Sequence, residues 1–171
     1  MLYLLDANTL IDAKNFYWQM ERVPEFWEWL EYQGNEGRIK IPQEIYDELD
    51  GGNSASPTAD ELTVWVHQPN IRTALLLDEE AEPDDVNEVV TNGYLATPTA
   101  ADLLAMGRDP FLISYGYKDV GNRTIVTTER SKPSKSGSKR HVPDVCNSLG
   151  VTFIDTYQLT EDLDFRTSWK S

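Results

Sequence analysis

The chain has 171 residues, the length of one domain with a substantial buried core, and we expect a single domain over residues 1–171. Hydrophobic residues make up 40% and charged residues 26%, as in globular proteins, and no apolar run approaches the ~20 residues of a membrane span. The formal net charge of −14 argues against a general electrostatic attraction to nucleic acid.

Hydrophobic periodicity predicts alternating strands and helices along the chain. Apolar and β-branched runs predict strands at residues 2–5, 38–42, 124–127 and 151–154. Apolar residues at helical spacing predict helices at residues 23–30, 42–49, 59–66, 86–90, 99–106, 109–117, 143–149 and 157–163. We expect Gly34 and Gly37 to end the first helix, and residues 51–57 to form turns. This order predicts an α/β fold, a three-layer α/β/α sandwich with a mostly parallel sheet.

The first predicted strand runs directly into Asp6, which is followed by Asn8 and Thr9. In an open α/β sheet, binding and catalytic residues usually lie just beyond the carboxyl ends of the strands. Asp6 is therefore a candidate metal ligand or nucleophile. The alternative is that Asp6 only caps the helical turn that follows, since Asp and Asn are favoured at such ends.

Four acids lie near predicted strand ends or helix starts: Asp6, Glu48, Asp109 and Glu129. If the strands are parallel and adjacent, Asp6 and Glu129 emerge at the same edge of the sheet. Carboxylates brought together there repel one another, so the cluster is tolerable only with a bound cation or with raised pKa values. Hard oxygen ligands suit Mg²⁺ or Mn²⁺, whereas two separate histidines and a single cysteine build no zinc site.

Residues 130–140, which we call the basic loop, hold five of the fifteen Lys and Arg residues and no acid. These five are Arg130, Lys132, Lys135, Lys139 and Arg140. The Ser, Pro and Gly residues between them predict a mobile segment that becomes ordered on a phosphate backbone. The alternatives are a solvated connector and a contact surface for a protein partner.

Four sequence motifs occur in an order that resembles PIN-like (PilT N-terminus-like) nucleases. They are Leu-Leu-Asp-Ala-Asn-Thr from residue 4, Ile-Pro-Gln-Glu-Ile-Tyr-Asp-Glu-Leu from residue 41, Asp-Pro-Phe-Leu-Ile-Ser from residue 109 and Ile-Val-Thr-Thr-Glu from residue 125. The resemblance spans residues 3–154. It is strongest to a branch with the same opening and a downstream Pro-Asp-Val-Cys segment, here residues 143–146.

The resemblance implies catalytic and metal-binding roles, with Mg²⁺ or Mn²⁺, for Asp6, Glu48, Asp109 and Glu129. It implies supporting polar roles for Asn8, Thr9, Thr127 and Asp144. Glu44 and Asp47 compete with Glu48 for the second position, and Glu129 stands where the family usually has the shorter Asp. Residues 51–99 form a longer segment than compact members of the family need.

A site of this kind would hydrolyse phosphodiester bonds. We therefore expect a metal-dependent nuclease, in particular a ribonuclease that acts as the toxin of a toxin–antitoxin pair. Its substrate would be RNA or single-stranded DNA held by the basic loop. An antitoxin protein and a second copy of the chain are the protein partners to consider. The single cysteine, Cys146, excludes an internal disulfide and suits a reducing cytoplasm, and no leader sequence or membrane partner is expected.

Two other functions stay open at this point. The run from Asp6 to Thr9 also resembles the Asp-x-Asp-x-Thr start of haloacid-dehalogenase-like phosphatases, in which Asp6 would be the nucleophile. Asn8 stands where that chemistry needs a general acid, and an amide cannot donate and reclaim a proton as a carboxyl can. The second alternative is a PIN-like interaction module without catalysis, which the longer Glu129 leaves open.

Overall fold

A four-stranded, all-parallel sheet forms the centre of the protein in a computed structural model that describes residues 1–49 and 60–170. Its order is β2-β1-β3-β4, and helices flank it in a three-layer α/β/α sandwich, which confirms the predicted fold class. The strands are β1 (Leu2–Leu5), β2 (Ile39–Lys40), β3 (Arg123–Val126) and β4 (Phe153–Ile154).

The described parts of the chain contain ten α-helices. These are α1 (Ala7–Asp12), α2 (Pro24–Asn35), α3 (Gln43–Leu49), α4 (Glu61–Val66), α5 (Pro69–Leu75), α6 (Pro83–Glu88), α7 (Ala100–Met106), α8 (Asp109–Tyr117), α9 (Val142–Leu149) and α10 (Thr156–Asp162). Two π-helical turns, Ala13–Tyr17 and Val89–Tyr94, follow α1 and α6. None of the described helices is both long and apolar enough to cross a membrane.

Strand β1 is central because it pairs with β2 on one side and with β3 on the other. Leu5 lies opposite Val126 in the β1–β3 register, and both side chains are fully buried. Continuous apolar burial of this kind is what a parallel sheet covered on both faces requires. Since the strands are parallel, their carboxyl ends meet at one edge, where Asp6 follows β1 and Thr127 follows β3.

Two helices bring further side chains to this edge. Helix α8 packs against β1 and β3 and leads into β3, so it begins near the edge at which β3 ends. Asp109 is the first residue of α8. Helix α3 follows β2, and the Arg108 guanidinium ties it to the start of α8 by donating to the carbonyl oxygen of Glu44 at 2.6 Å. The edge is therefore built from β1, β3, α3 and α8.

The first long helix differs from its prediction at Gly34. Helix α2 continues through this residue to Asn35, because Gly34 permits close packing against α5 and does not end the helix. A Cβ atom at Gly34 would lie 2.6 Å from Leu75 Cδ2. The left-handed residue beyond the helix is Gly37, with φ of +70°.

One helix and one helix boundary also differ from the prediction. The sequence pattern does not predict α5, and a bridge between Ile41 and Leu76 joins the end of this helix to the sheet. Helix α4 begins at Glu61, and the predicted turns at residues 51–57 lie outside the described residues.

Candidate active site

Asp6 is the buried acid at the end of β1, with 4% of its surface exposed. Its backbone N–H donates to the carbonyl oxygen of Val126 at 2.9 Å, which fixes the residue beside β3. Asp6 stands at the N-cap position of α1, yet Thr127 binds its carboxylate across the sheet through a hydroxyl hydrogen bond of 2.7 Å. Burial raises the pKa of Asp6 from 3.8 to about 6, with Glu129 and Glu48 adding to the shift and Thr127 opposing it.

Asp109 is a second acid with a raised pKa. Burial is the largest cause of this shift, and the negative charges of nearby carboxylates add to it. Together they raise the pKa of Asp109 from 3.8 to about 8. The contributing carboxylates are Asp6, Glu129 and Glu48. The four predicted acids therefore act on one another electrostatically at one edge of the sheet.

Helix α3 carries three acids, and their contacts distinguish Glu48 from its two competitors. Tyr115 donates its hydroxyl to Glu44 Oε2 at 3.2 Å. Asp47 lies 3.6 Å from the Arg108 guanidinium and also accepts a hydrogen bond from the side chain of Gln43. The exposed Glu48 is the member of this set whose charge raises the pKa values of both Asp6 and Asp109.

Glu129 contacts the start of α9 as well as the carboxylate site. Its Oε2 accepts a hydrogen bond from the Val142 backbone N–H at 2.9 Å and lies 3.6 Å from His141 Nδ1. Its own N–H donates to Thr127 Oγ1 at 3.1 Å, so Thr127 joins Glu129 to Asp6. A helix N-terminus stabilises a carboxylate, and the long side chain of Glu129 reaches one here.

Asp144 and Arg140 hold the basic loop against the fold. Asp144 is buried and accepts hydrogen bonds from the Ser131 hydroxyl and, at 2.8 Å, from the Lys132 backbone N–H. Although burial raises the pKa of Asp144, these hydrogen bonds bring it below its usual value. The Arg140 guanidinium donates to the carbonyl oxygens of Gly93 and Asp144. Asp144 and Arg140 thus have structural roles in the loop, in addition to the supporting role that the resemblance implies for Asp144 and the phosphate contact expected of Arg140 from its place in the basic loop.

The remaining predicted residues have simpler environments. Thr9 is buried and donates its hydroxyl to the carbonyl oxygen of Val126 at 2.8 Å, which braces β3 against α1. Asn8 is exposed on α1. Four cations of the basic loop are exposed and form no ion pair with an acid of residues 1–49 or 60–170. They are Arg130, Lys132, Lys135 and Lys139.

Tyr94 is a polar neighbour of the site that the sequence does not identify. It ends the π-helical turn Val89–Tyr94, and π-helical turns are frequent at functional sites. Its hydroxyl is buried and has no hydrogen-bond partner among the described residues. Burial raises its pKa well above the usual range, and the charges of Asp109 and Glu129 add to this shift. Tyr94 therefore supplies a neutral hydroxyl beside the carboxylates.

The four acids affect one another electrostatically, but their carboxylates are not arranged as the ligands of a metal ion. Within residues 1–49 and 60–170, no group of three or more His, Cys, Asp or Glu side chains is arranged to hold a metal ion. Two of the carboxylates are bound by protein donors, Asp6 by Thr127 and Glu129 by Val142. Metal binding by these residues stays a prediction.

Comparison with known proteins identifies the family of the chain. A family described as a domain of unknown function (DUF4411) matches residues 3–167, so the chain belongs to that family. A comparison with curated proteins finds no match.

The raised pKa values of Asp6 and Asp109 make the free energy of unfolding depend on pH in protein from which chelator has removed divalent cations. Their values of about 6 and about 8 lie above 3.8, so the folded protein binds protons that the unfolded chain has already lost. We expect the free energy of unfolding contributed by these groups to fall as the pH rises from about 4 to about 8. Asp109→Asn should flatten this dependence and raise the free energy of unfolding near pH 8.5 by at least about 1 kcal/mol.

Urea denaturation at several pH values with excess chelator measures this effect. Asp84→Asn, at an exposed position of α6, controls for the loss of one negative charge. A wild-type protein that becomes more stable over this pH range, with an unchanged profile in Asp109→Asn, would contradict the electrostatic description of the site.

Proposed function

We propose that this DUF4411 protein is a nuclease that uses Mg²⁺ or Mn²⁺ to hydrolyse phosphodiester bonds in RNA. The observation that carries the proposal is the electrostatic coupling of Asp6 and Asp109, which come from different elements and both have raised pKa values. Two further carboxylates, Glu48 and Glu129, contribute to those shifts. A fold gains no stability from like charges placed together, so a function of the site is the simplest reason for them.

The donor set fits a hard divalent cation. Carboxylate oxygens are the ligands that Mg²⁺ and Mn²⁺ prefer, and a cation would relieve the repulsion that raises the two pKa values. Asp6, Glu48, Asp109 and Glu129 are the residues that would hold it. The chemistry that such an ion would supply is activation of a water molecule and stabilisation of the leaving oxygen of the phosphodiester.

Other side chains support this chemistry in distinct ways. Thr127 fixes the orientation of Asp6 through the 2.7 Å hydrogen bond. Tyr94 places a buried, neutral hydroxyl near Asp109, so it adds no negative charge to that of the carboxylates. The exposed cations of the basic loop follow Glu129 in sequence and can contact the phosphates on either side of the cleaved bond.

The likeness of the sequence motifs to PIN-like nucleases supports a biological setting for this activity. We infer that the protein is the toxin of a cytoplasmic toxin–antitoxin pair, with RNA as substrate and single-stranded DNA as the competing substrate. An antitoxin protein is the inferred partner, and self-association into a homodimer belongs to the same proposal.

A non-catalytic PIN-like interaction module is the second candidate. The protein donors that bind Asp6 and Glu129 favour it, since both carboxylates already have hydrogen-bond partners within the fold. The nuclease requires metal-dependent cleavage of RNA, and the interaction module has none. Cleavage assays therefore distinguish the two candidates.

We expect Asp6→Asn and Glu48→Gln each to reduce Mn²⁺-dependent RNA cleavage by at least about a hundredfold, because each removes one ligand charge with little change of shape. Glu44→Gln is the matched control on the same helix, since Glu44 accepts a hydrogen bond from Tyr115. It should retain activity within about threefold. The measurement is initial cleavage rate on a panel of structured RNAs and single-stranded DNA, with and without chelator.

Full activity of wild-type protein in excess chelator would refute the metal mechanism. Absence of metal-dependent cleavage across the panel would favour the interaction module. Equal losses of cleavage activity in Glu44→Gln and Glu48→Gln would contradict the assignment of Glu48, and not Glu44, as a metal ligand.

The basic loop generates a separate expectation about binding. Replacing Lys132, Lys135 and Lys139 with Ala should weaken RNA binding regardless of sequence. The slope of log affinity against log salt should flatten by up to about two units, since each single-strand phosphate contact contributes roughly 0.7. Fluorescence anisotropy over a salt series measures both effects. The variant with Lys118, Arg166 and Lys170 replaced by Ala is the control for removal of three positive charges elsewhere. An unchanged affinity and slope in the triple variant would identify the loop as a connector.

A further inference from the structure

A cleft of about 510 Å³ opens beside Glu129, on the side of the sheet edge toward β4. Its lining includes residues that follow β3 and β4, together with two tyrosines from different elements, Tyr17 and Tyr157. This volume falls in the usual range for sites that bind small molecules or parts of larger ligands. Because Glu129 lines the cleft and also belongs to the carboxylate site, an occupant of the cleft would lie next to that site.

The two tyrosines form an exposed aromatic surface that packs against Trp18. Tyr17 and Tyr157 are 47% and 52% exposed, and their ring centroids lie 5.4 Å apart in an edge-to-face arrangement. Trp18 contacts both rings, at centroid distances of 6.0 and 5.6 Å. Trp18 itself stacks on the buried Phe26 at 4.4 Å with an interplanar angle of 10°. The exposed rings are thus anchored to the core through Trp18.

A buried polar side chain also lines the cleft. Thr156 lines it and is 3% exposed, and its hydroxyl has no hydrogen-bond partner among the described residues. A hydroxyl both donates and accepts, so a rotation of this side chain toward the cleft would let it pair with the polar edge of a base. Arg130 lines the cleft too, and its exposed guanidinium can contact a phosphate or stack on a ring.

We infer that this cleft binds one unpaired base of a single-stranded nucleic acid beside the carboxylate site, stacked on the Tyr157 ring with the Tyr17 ring at an angle to it. The inference rests on the proposed nuclease function, since it names a substrate contact of that same site. Stacking suits this chain because the net charge of −14 opposes phosphate binding over most of the surface. Aromatic stacking accepts any base and requires a base outside a duplex, so it selects single strands.

The test measures binding without cleavage. Asp6→Asn protein in chelator is titrated with a short, unstructured, fluorescein-labelled RNA, and anisotropy reports the affinity. We expect Tyr157→Ala to weaken binding about tenfold, the effect typical of losing one stacked base, and Tyr157→Phe to bind within about twofold. Tyr32→Ala, at another exposed aromatic residue, is the matched control and should have no effect. The salt slope should not change in Tyr157→Ala, because no phosphate contact is lost.

A second arm identifies the base itself as the ligand. Oligonucleotides with a single abasic position, moved along the strand, should include one that binds about tenfold more weakly to the Asp6→Asn protein. Tyr157→Ala should weaken binding of that oligonucleotide no further, since the two changes remove the same contact. Tyr157→Phe keeps the ring and separates loss of stacking from loss of folding.

The outcomes separate this inference from the proposed nuclease activity. Tyr157-dependent binding in a wild-type protein that cleaves nothing would support the base site and refute the nuclease. Cleavage by the wild type, together with unchanged binding in Tyr157→Ala, would refute the base site and leave the nuclease. Equal binding of intact and abasic strands at every position would also overturn the base site.

Discussion

The parallel pairing of β1 with β3 is the constraint on which the rest of the site depends. The Asp6 backbone N–H donates to Val126 at 2.9 Å, so the residues after the two strands lie side by side. The Thr127 hydroxyl then reaches the Asp6 carboxylate and also accepts the N–H of Glu129. One threonine therefore sets the relative position of two acids that are more than a hundred residues apart in the chain. Helix α8 leads back into β3, so its first residue, Asp109, reaches the same edge of the sheet.

This arrangement carries an electrostatic penalty in the folded protein. Burial and repulsion between the carboxylates disfavour the ionised forms of Asp6 and Asp109. Their pKa values are therefore raised to about 6 and about 8. Helix-start and hydroxyl donors offset part of this penalty at Glu129 and Asp6. A divalent cation would offset the remainder, which links the stability of the sheet edge to the proposed chemistry. The neighbouring cleft and its aromatic surface extend the same edge toward β4.

The sequence predicts those parts of the structure that follow from local pattern. Apolar strands ending in Asp6 and near Glu129, and a proline at the second residue of α8, indicate the sheet edge and the start of the helix. Contacts between distant segments cannot be predicted in this way. Glu44 and Glu48 are equivalent by spacing. The structure distinguishes them, because Tyr115 donates a hydrogen bond to Glu44, whereas the charge of Glu48 raises the pKa values of the two buried acids. Likewise, Gly34 is a packing residue because α5 lies against it. Tyr94 and Thr156 become notable only because their hydroxyls are buried and have no hydrogen-bond partner within residues 1–49 and 60–170. Arg140 belongs to the basic loop by sequence but is bound to Gly93 and Asp144 within the fold.

Anomalous diffraction tests directly whether the coupled carboxylates form a cation site. Crystals grown near pH 8.5 and soaked in Mn²⁺, with data collected at the manganese absorption edge, locate the ion without reference to activity. We expect an anomalous peak within bonding distance of the Asp6 and Asp109 carboxylates, and we expect its loss in crystals of Asp6→Asn. The absence of a peak between these carboxylates at saturating Mn²⁺, whether or not manganese occupies another site, would show that they form no cation site.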